Sequence, residues 1–421
     1  MTPPIDLASR WLGGSVMAAS DESFGEKENL LTPAAAAFEP GRYSHRGEIV
    51  DGWETRRRRE PGNDWALIRL GAPGTVTSVD VDTSFFTGNF PQECAIEACG
   101  AEGYPSPAEL FSASAEWAEL VPRSPLRGDA HNSFPVTDPR RFTHIRLSIF
   151  PDGGVARLRV LGHVVPDPRG LERLTIDLAG QEYGGIVVAS SDDFYNSACL
   201  LNRPDTARSM GEGWETRRRR DAGHDHAVIR LAFAGQVHRL IVDTAHFKYN
   251  ASAEIAAYGM DDEAGGMDEE AGGMDEEAGG MDEEAGGSAG SPVPAGPAAW
   301  KALLPRTRLQ PDTRHVLAVG HPAPIVLLRL DAFPDGGLSR VRVIGSLDPA
   351  ARSRAGYRWF NSLPQDQAVR CLAGTGLEPG LAADVSGQRP LTGAWLAGPG
   401  RRLPAAAFNA LATMLAGHAA P

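Results

Sequence analysis

The octapeptide Gly-Trp-Glu-Thr-Arg-Arg-Arg-Arg occurs twice in this chain, at Gly52–Arg59 and at Gly213–Arg220. Its surroundings repeat in the same order. Asp64-Trp65-Ala66-Leu67-Ile68-Arg69-Leu70 answers to Asp225-His226-Ala227-Val228-Ile229-Arg230-Leu231, and Val81-Asp82-Thr83 answers to Val242-Asp243-Thr244, all 161 residues apart. Ser20-Asp21 matches Ser191-Asp192 upstream. Downstream, Phe150-Pro151-Asp152-Gly153-Gly154 matches Phe333-Pro334-Asp335-Gly336-Gly337 at a spacing that has grown to 183. A period this long is a whole domain rather than a solenoid unit or propeller blade. Any fold must therefore be one that the chain can build twice.

The 421 residues accommodate two such copies and a tail: residues 1–170, residues 171–346, and residues 347–421. The second copy is longer because of an insertion at 260–298. Within it, residues 260–287 are four units of Met-Asp-(Asp/Glu)-Glu-Ala-Gly-Gly holding twelve carboxylates. Without that run the net charge of −13 falls close to zero, so the acidity says nothing about the folded domains. The run lacks the ligand spacing of a calcium-binding loop, and its Gly-Gly pairs break a coiled coil. It is expected to be a solvated, disordered and dispensable loop. Four scattered cysteines without a CxxC pair point to reduced thiols. With no signal-peptide pattern and no long apolar run, the chain is expected to be cytoplasmic and free of membrane contact. A homo-oligomer is expected. The absence of a basic excess in the domains argues against nucleic acid.

Strand signals dominate residues 1–345. Trp65–Leu70, Val76–Asp82, Ala227–Leu231 and Val237–Asp243 read as separate short strands. Val155–Leu161 and Leu338–Ile344 alternate after a Pro-Asp-Gly-Gly turn, a pattern that predicts a β-hairpin at each place. Many short strands with Gly/Pro-rich turns predict an all-β protein of two tandem jelly-roll β-sandwiches. Trp53, Trp117, Trp214 and Trp300 are expected in the cores. Residues 346–358 read as a polar, Arg-rich linker, followed by short helices at Gln365–Leu372 and Ala405–Ala416, each started by a nearby proline.

The chemistry concentrates in the repeated blocks. If the octapeptide is extended, Glu54, Arg56 and Arg58 share one face, and Trp53, Thr55, Arg57 and Arg59 the other. A guanidinium pair can hold a small carboxylate in bidentate fashion, or the arginines can stiffen the sheet as an ion-pair ladder. Asp64 and Asp225 sit at a strand entry. His224 and His226 flank the second of these, and His246 follows Asp243-Thr244. Acid/base work, a divalent metal at His224-x-His226 and a plain turn role are all compatible with this pattern. Asp82 and Asp243 close apolar strands, with the arginine runs as prospective partners.

The set Asp51–Arg59, Asp64–Arg69, Val81–Pro91, Lys27–Leu31 and Asp243–Lys248 resembles the allantoicase (allantoate amidinohydrolase) family. The likeness covers residues 10–345 apart from the acidic insertion. It implies a pair of galactose-binding-like jelly rolls and hydrolysis of allantoate to ureidoglycolate and urea; no cofactor and no metal are expected. Candidate catalytic residues are Glu54, Asp64, Glu215, His224, Asp225 and His246. Candidate substrate-binding residues are Arg56, Arg58, Asp82, Arg217, Arg219 and Asp243. The chain departs from the family pattern at Asn63, at His226 and at Tyr249. The tail from Phe360-Asn361-Ser362-Leu363-Pro364 to Arg389-Pro390 resembles the start of an OHCU decarboxylase, ending before that family's catalytic segment. The competing reading is a non-catalytic ureide- or carbohydrate-binding β-sandwich, which would be expected to show exposed aromatic side chains.

Overall fold

The computed structural model describes residues 4–261 and 300–418, apart from 45–46, 50, 113–114 and 321–322. The acidic insertion beyond Asp261 lies outside the described residues. The chain divides into two compact units. One is the second repeat, Leu171–Ala351, and the other joins Pro4–Gly170 to the tail from Arg352 onward.

Each repeat is an antiparallel β-sandwich built around one long strand. In the first repeat this is the 19-residue strand Asp64–Asp82. Its first half pairs with Ser15–Ala19 and with Arg141–Phe150, which continues through Glu93–Cys99 to Ala118–Pro125. Its second half pairs with His131–Pro135 and Arg157–Val164, the latter edged by Ile5–Asp6. One strand thus serves both layers. The two short strands expected on either side of residues 71–75 are instead continuous. The chain turns the corner there because Gly71 and Gly74 allow it. A Cβ on Gly74 would lie 2.3 Å from the His163 carbonyl oxygen, so only glycine fits that close approach. The second repeat has the same plan around Asp225–Asp243, with Gly235 at the corner.

Alternation along these strands sends Ala66, Ile68, Leu70, Val79 and Val81 into the first core, beside Ile145, Leu147, Leu158 and Val160. The predicted hairpins are not formed. Arg157–Val164 pairs with the long strand, not with Arg141–Phe150, and Arg340–Leu347 likewise pairs with Asp225–Asp243. The Pro-Asp-Gly-Gly segment crosses between layers instead. In the first repeat Asp64 N–H donates to the Pro151 carbonyl and Ala156 N–H to the Asp82 carbonyl. Both ends of the long strand are thereby gathered at one end of the sandwich.

The expected linker is helical: Pro349–Ser362 is an α-helix. Its arginines did not mark it as core-facing, yet its Trp359 and Phe360 are fully buried with Leu372, Leu411 and Leu415. Helices follow at Gln365–Gly374, Pro379–Ser386 and Ala405–Leu415. This tail shares its core with Val165 of the first repeat, Arg358 donates to the Val164 carbonyl at 2.8 Å, and Arg169 stacks 4.1 Å over Trp359. The boundary expected for the acidic run also shifts, because Met260 ends the strand Glu254–Met260 and is buried, and Asp261 pairs with Lys301. Among the described residues, no helix is long and apolar enough to cross a membrane.

Candidate active site

At the gathered end of each sandwich, Trp53–Glu54 pairs with Gly154–Val155, and Trp214–Glu215 with Gly337–Leu338. Trp117 and Trp300 are only half-buried, whereas Trp53 and Trp214 are fully buried, as the core reading required. Their indole N–H groups donate to the Asp21 and Asp192 carbonyls, at 2.8 and 2.9 Å. Each tryptophan thus clamps the Ser-Asp segment beside the arginine run.

The run itself is not a strand beyond Glu54 and Glu215. Carboxylates replace the missing neighbour strand. Arg56 N–H donates to Asp21 at 2.7 Å and Arg58 N–H to Asp152 at 2.8 Å. Arg217 and Arg219 do the same to Asp192 at 3.3 Å and Asp335 at 3.0 Å. The side chains then part company. Arg56 is 75% exposed, with its Nε 3.5 Å from Asp21. Arg58 folds inward, its Nη1 donating to Asp64 Oδ1 at 2.7 Å, and Ser20 Oγ donates to the same oxygen at 2.9 Å. In the second copy Arg219 Nε and Ser191 Oγ each donate to Asp225 Oδ1 at 2.9 Å, and Arg219 also reaches Asp221. The ladder of cross-strand ion pairs is therefore replaced by one buried Ser–Asp–Arg cluster per repeat.

Two details bear on chemistry. Asp64 and Asp225 are 1% exposed, and in each the second oxygen, Oδ2, is buried and accepts no hydrogen bond among the described residues. A buried acceptor in that state is costly unless something donates to it. Glu54 accepts from the Asn89 amide at 2.8 Å, and burial raises its carboxyl above the usual range. Glu215 has the matching amide, Asn250, at 2.7 Å.

The histidines differ in their setting. His224 Nε2 lies 3.0 Å from Asp331 Oδ2, and its ring rests 4.5 Å from that of Phe333. His226 is half-buried, and burial followed by the charge of Arg329 lowers its pKa. It points to neither the Asp225 nor the Glu215 carboxylate by any described hydrogen bond. His246 is exposed at φ +71°, with Nε2 held 3.0 Å from the Ala207 carbonyl, so the structure does not join it to Asp225 or Asp243. Asp82 and Asp243 do not pair with the arginine runs either. Each accepts a turn N–H at 2.8 Å, from Ser84 and Ala245, because the strand end turns tightly there.

The sequence reading missed Ser20, Ser191, Asp152, Asp335, Asn89 and Asn250. The repetition of Ser-Asp and Pro-Asp-Gly-Gly was visible, but nothing local showed that they would converge on the arginine run. The exposed aromatics that the competing reading expects are present in the second repeat. Phe194, Tyr195 and Tyr249 are exposed, and Arg217 stacks 4.3 Å from Phe194.

The allantoicase-repeat family model matches twice, at residues 5–165 and 176–348. The chain is similar to a probable allantoicase of Nocardia farcinica, with 45% identity over 81% of this chain and 94% of that one. It is also similar to a probable allantoicase of Streptomyces coelicolor, with 43% identity over 84% of this chain and 89% of that one. Among solved structures it resembles the allantoicase of Saccharomyces cerevisiae, with 31% identity, a TM-score of 0.64 and coverage of 81% of this chain and 93% of that one. The duplicated blocks and the duplicated clusters they build thus have one source: the chain belongs to the allantoicase family.

Proposed function

We propose that the buried Ser–Asp–Arg clusters are where this hydrolase engages allantoate, releasing urea and ureidoglycolate in purine catabolism. The observation that carries the reading is the acceptor left without a donor at Asp64 Oδ2 and Asp225 Oδ2 beside an arginine. Allantoate has a carboxylate and two ureido groups on one carbon. A ureido N–H supplies the donor that each aspartate lacks. The carboxylate suits the exposed guanidinium of Arg56 or Arg217, with Arg58 or Arg219 behind it.

Breaking the carbon–nitrogen bond requires a proton on the departing ureido nitrogen and a water oxygen on the central carbon. Glu54 and Glu215, each bound to an asparagine amide, stand as proton carriers for the first task. His224 serves the second. Purified protein incubated with allantoate is expected to release urea and ureidoglycolate in equal amounts. Product no faster than uncatalysed hydrolysis, from folded protein, sinks the reading.

A further inference from the structure

The two repeats build the same aromatic platform beside the candidate site. In the first, Arg123 lies 4.2 Å over the Phe150 ring and donates to Glu93 at 2.6 Å. In the second, Arg306 lies 4.2 Å over the Phe333 ring and pairs with Glu254. The repeats differ at two matched positions. The first has Asn63, whose amide merely donates to the Asp64 carbonyl at 3.0 Å, and Ser148. The second has His224 and Asp331 at these same two positions. Two differences, 107 residues apart in sequence, meet in one 3.0 Å contact. Asp331 lies across the ladder from His226, two residues after His224, which immediately precedes the strand. It is 5% exposed and is itself held by Arg329 Nε at 2.6 Å.

We infer that Asp331 is a positioning residue for His224, and that this pair makes the second repeat the one that turns substrate over. The inference rests on the allantoate reading above. Asp331 accepts Nε2–H and thereby fixes the tautomer, and Phe333 fixes the ring plane. Nδ1 is left as the open acceptor, engaged by no described residue. In the reaction Nδ1 takes a proton from water as the water oxygen bonds the central carbon. The carbon–nitrogen bond breaks with its electron pair on the ureido nitrogen, which takes a proton from the Glu215 carboxylic acid and leaves as urea. The imidazolium then returns its proton to that acid through solvent, so the cycle closes. The first repeat, with asparagine and serine there, binds ureide without this step.

The test is a double-substitution cycle in the full chain. His224→Asn is expected to lower kcat by about 100-fold or more, in keeping with loss of a general base. Asp331→Asn is expected to lower kcat by about tenfold or more while KM stays within about twofold. Asp331→Ser, the residue that the first repeat uses in the same place, guards against misfolding and is expected to act alike. In the His224→Asn background, either Asp331 change is expected to cost nothing further. Nitrogen NMR of the imidazole is expected to show one dominant tautomer in the wild type and a mixture in Asp331→Asn. Ser148→Ala is expected to leave turnover unchanged. An Asp331 loss that persists without His224 overturns the inference, as does full activity in His224→Asn or an unchanged tautomer. Failure of the allantoate reading looks different, because the wild type itself then releases no urea.

Discussion

Arg58→Ala and Arg56→Ala separate the buried arginine from the exposed one. Arg58 is 29% exposed in its side chain and faces Asp64, whose side chain is 2% exposed, at 2.7 Å. Removing the guanidinium leaves a buried carboxylate with Ser20 as its remaining donor. Breaking a fully buried pair costs about 3–5 kcal/mol, but a partly exposed arginine leaves a path for water, so about 2 kcal/mol is the fitting magnitude. For a domain of this size that is roughly a 4–8 °C fall in Tm. Arg56, 75% exposed and 3.5 Å from Asp21, is a surface pair worth roughly 0–1 kcal/mol, so its removal moves Tm by little. Both variants keep turnover at temperatures where they stay folded, since the second repeat carries the catalytic step. Thermal unfolding followed by fluorescence, with urea release at saturating allantoate, reads the two effects separately. Equal Tm losses in the two variants, or none in Arg58→Ala, would refute the assignment of Arg58 as the inward, stability-bearing member of the run.

Four further outcomes are expected. Matched Arg56→Lys and Arg217→Lys variants keep the charge and lose the fork, so kcat/KM falls steeply in whichever repeat binds the carboxylate, with Tm unchanged; full activity in both removes a bidentate role. Deleting residues 262–287, leaving Met260 and Asp261 in place, leaves Tm and activity nearly unchanged, and a large loss of either shows that the run belongs to the fold. Burial pushes the Asp6 carboxyl up to about 6 although it accepts N–H bonds from Ala8 and Val160, so its contribution to stability is complete below the unfolded value and is lost as pH rises through about 6. Asp6→Asn keeps an acceptor oxygen for both bonds and should be more stable than wild type at pH 7 but not at pH 4, as read by urea denaturation; the opposite order refutes the sign. Trp359→Ala empties the centre of the tail core, at a cost of about 3–5 kcal/mol. Limited proteolysis should then cut within residues 349–418 and spare the sandwiches, because the first sandwich has its own core cluster, whereas uniform cleavage of the whole chain refutes that separation.

Much is legible in the sequence alone. The octapeptide and its flanking blocks required two copies of one domain, and the density of short alternating segments required β-sandwiches. Arg56, Arg58 and Asp64 were visible as a charged group by proximity in sequence. Their roles were not. Period-2 alternation assumed a strand, but the run leaves the sheet after Glu54, and Asp21 and Asp152 take its N–H groups. Glycine-rich breaks at 71–74 and 235 looked like turns between strands. They are instead the corners of one strand shared by two layers, because a missing Cβ permits close backbone approach as readily as it permits reversal. The arginines of 352–358 suggested a linker, since charge pattern alone does not show that Trp359 and Phe360 beyond them have a core to enter.

The sequence by itself therefore determined the duplication, the fold class and the family, because these are written in order and spacing along the chain. The tertiary structure decided which carboxylate meets which arginine, which aspartate oxygen is left open, and that His224 finds Asp331. Most of these depend on segments far apart in sequence being brought to one end of a sandwich, Ser20 to Asp64, Arg219 to Asp335 and His224 to Asp331. Long-range pairing is set by strand order and by the corner that the long strand turns, and no local pattern of residue types encodes that order.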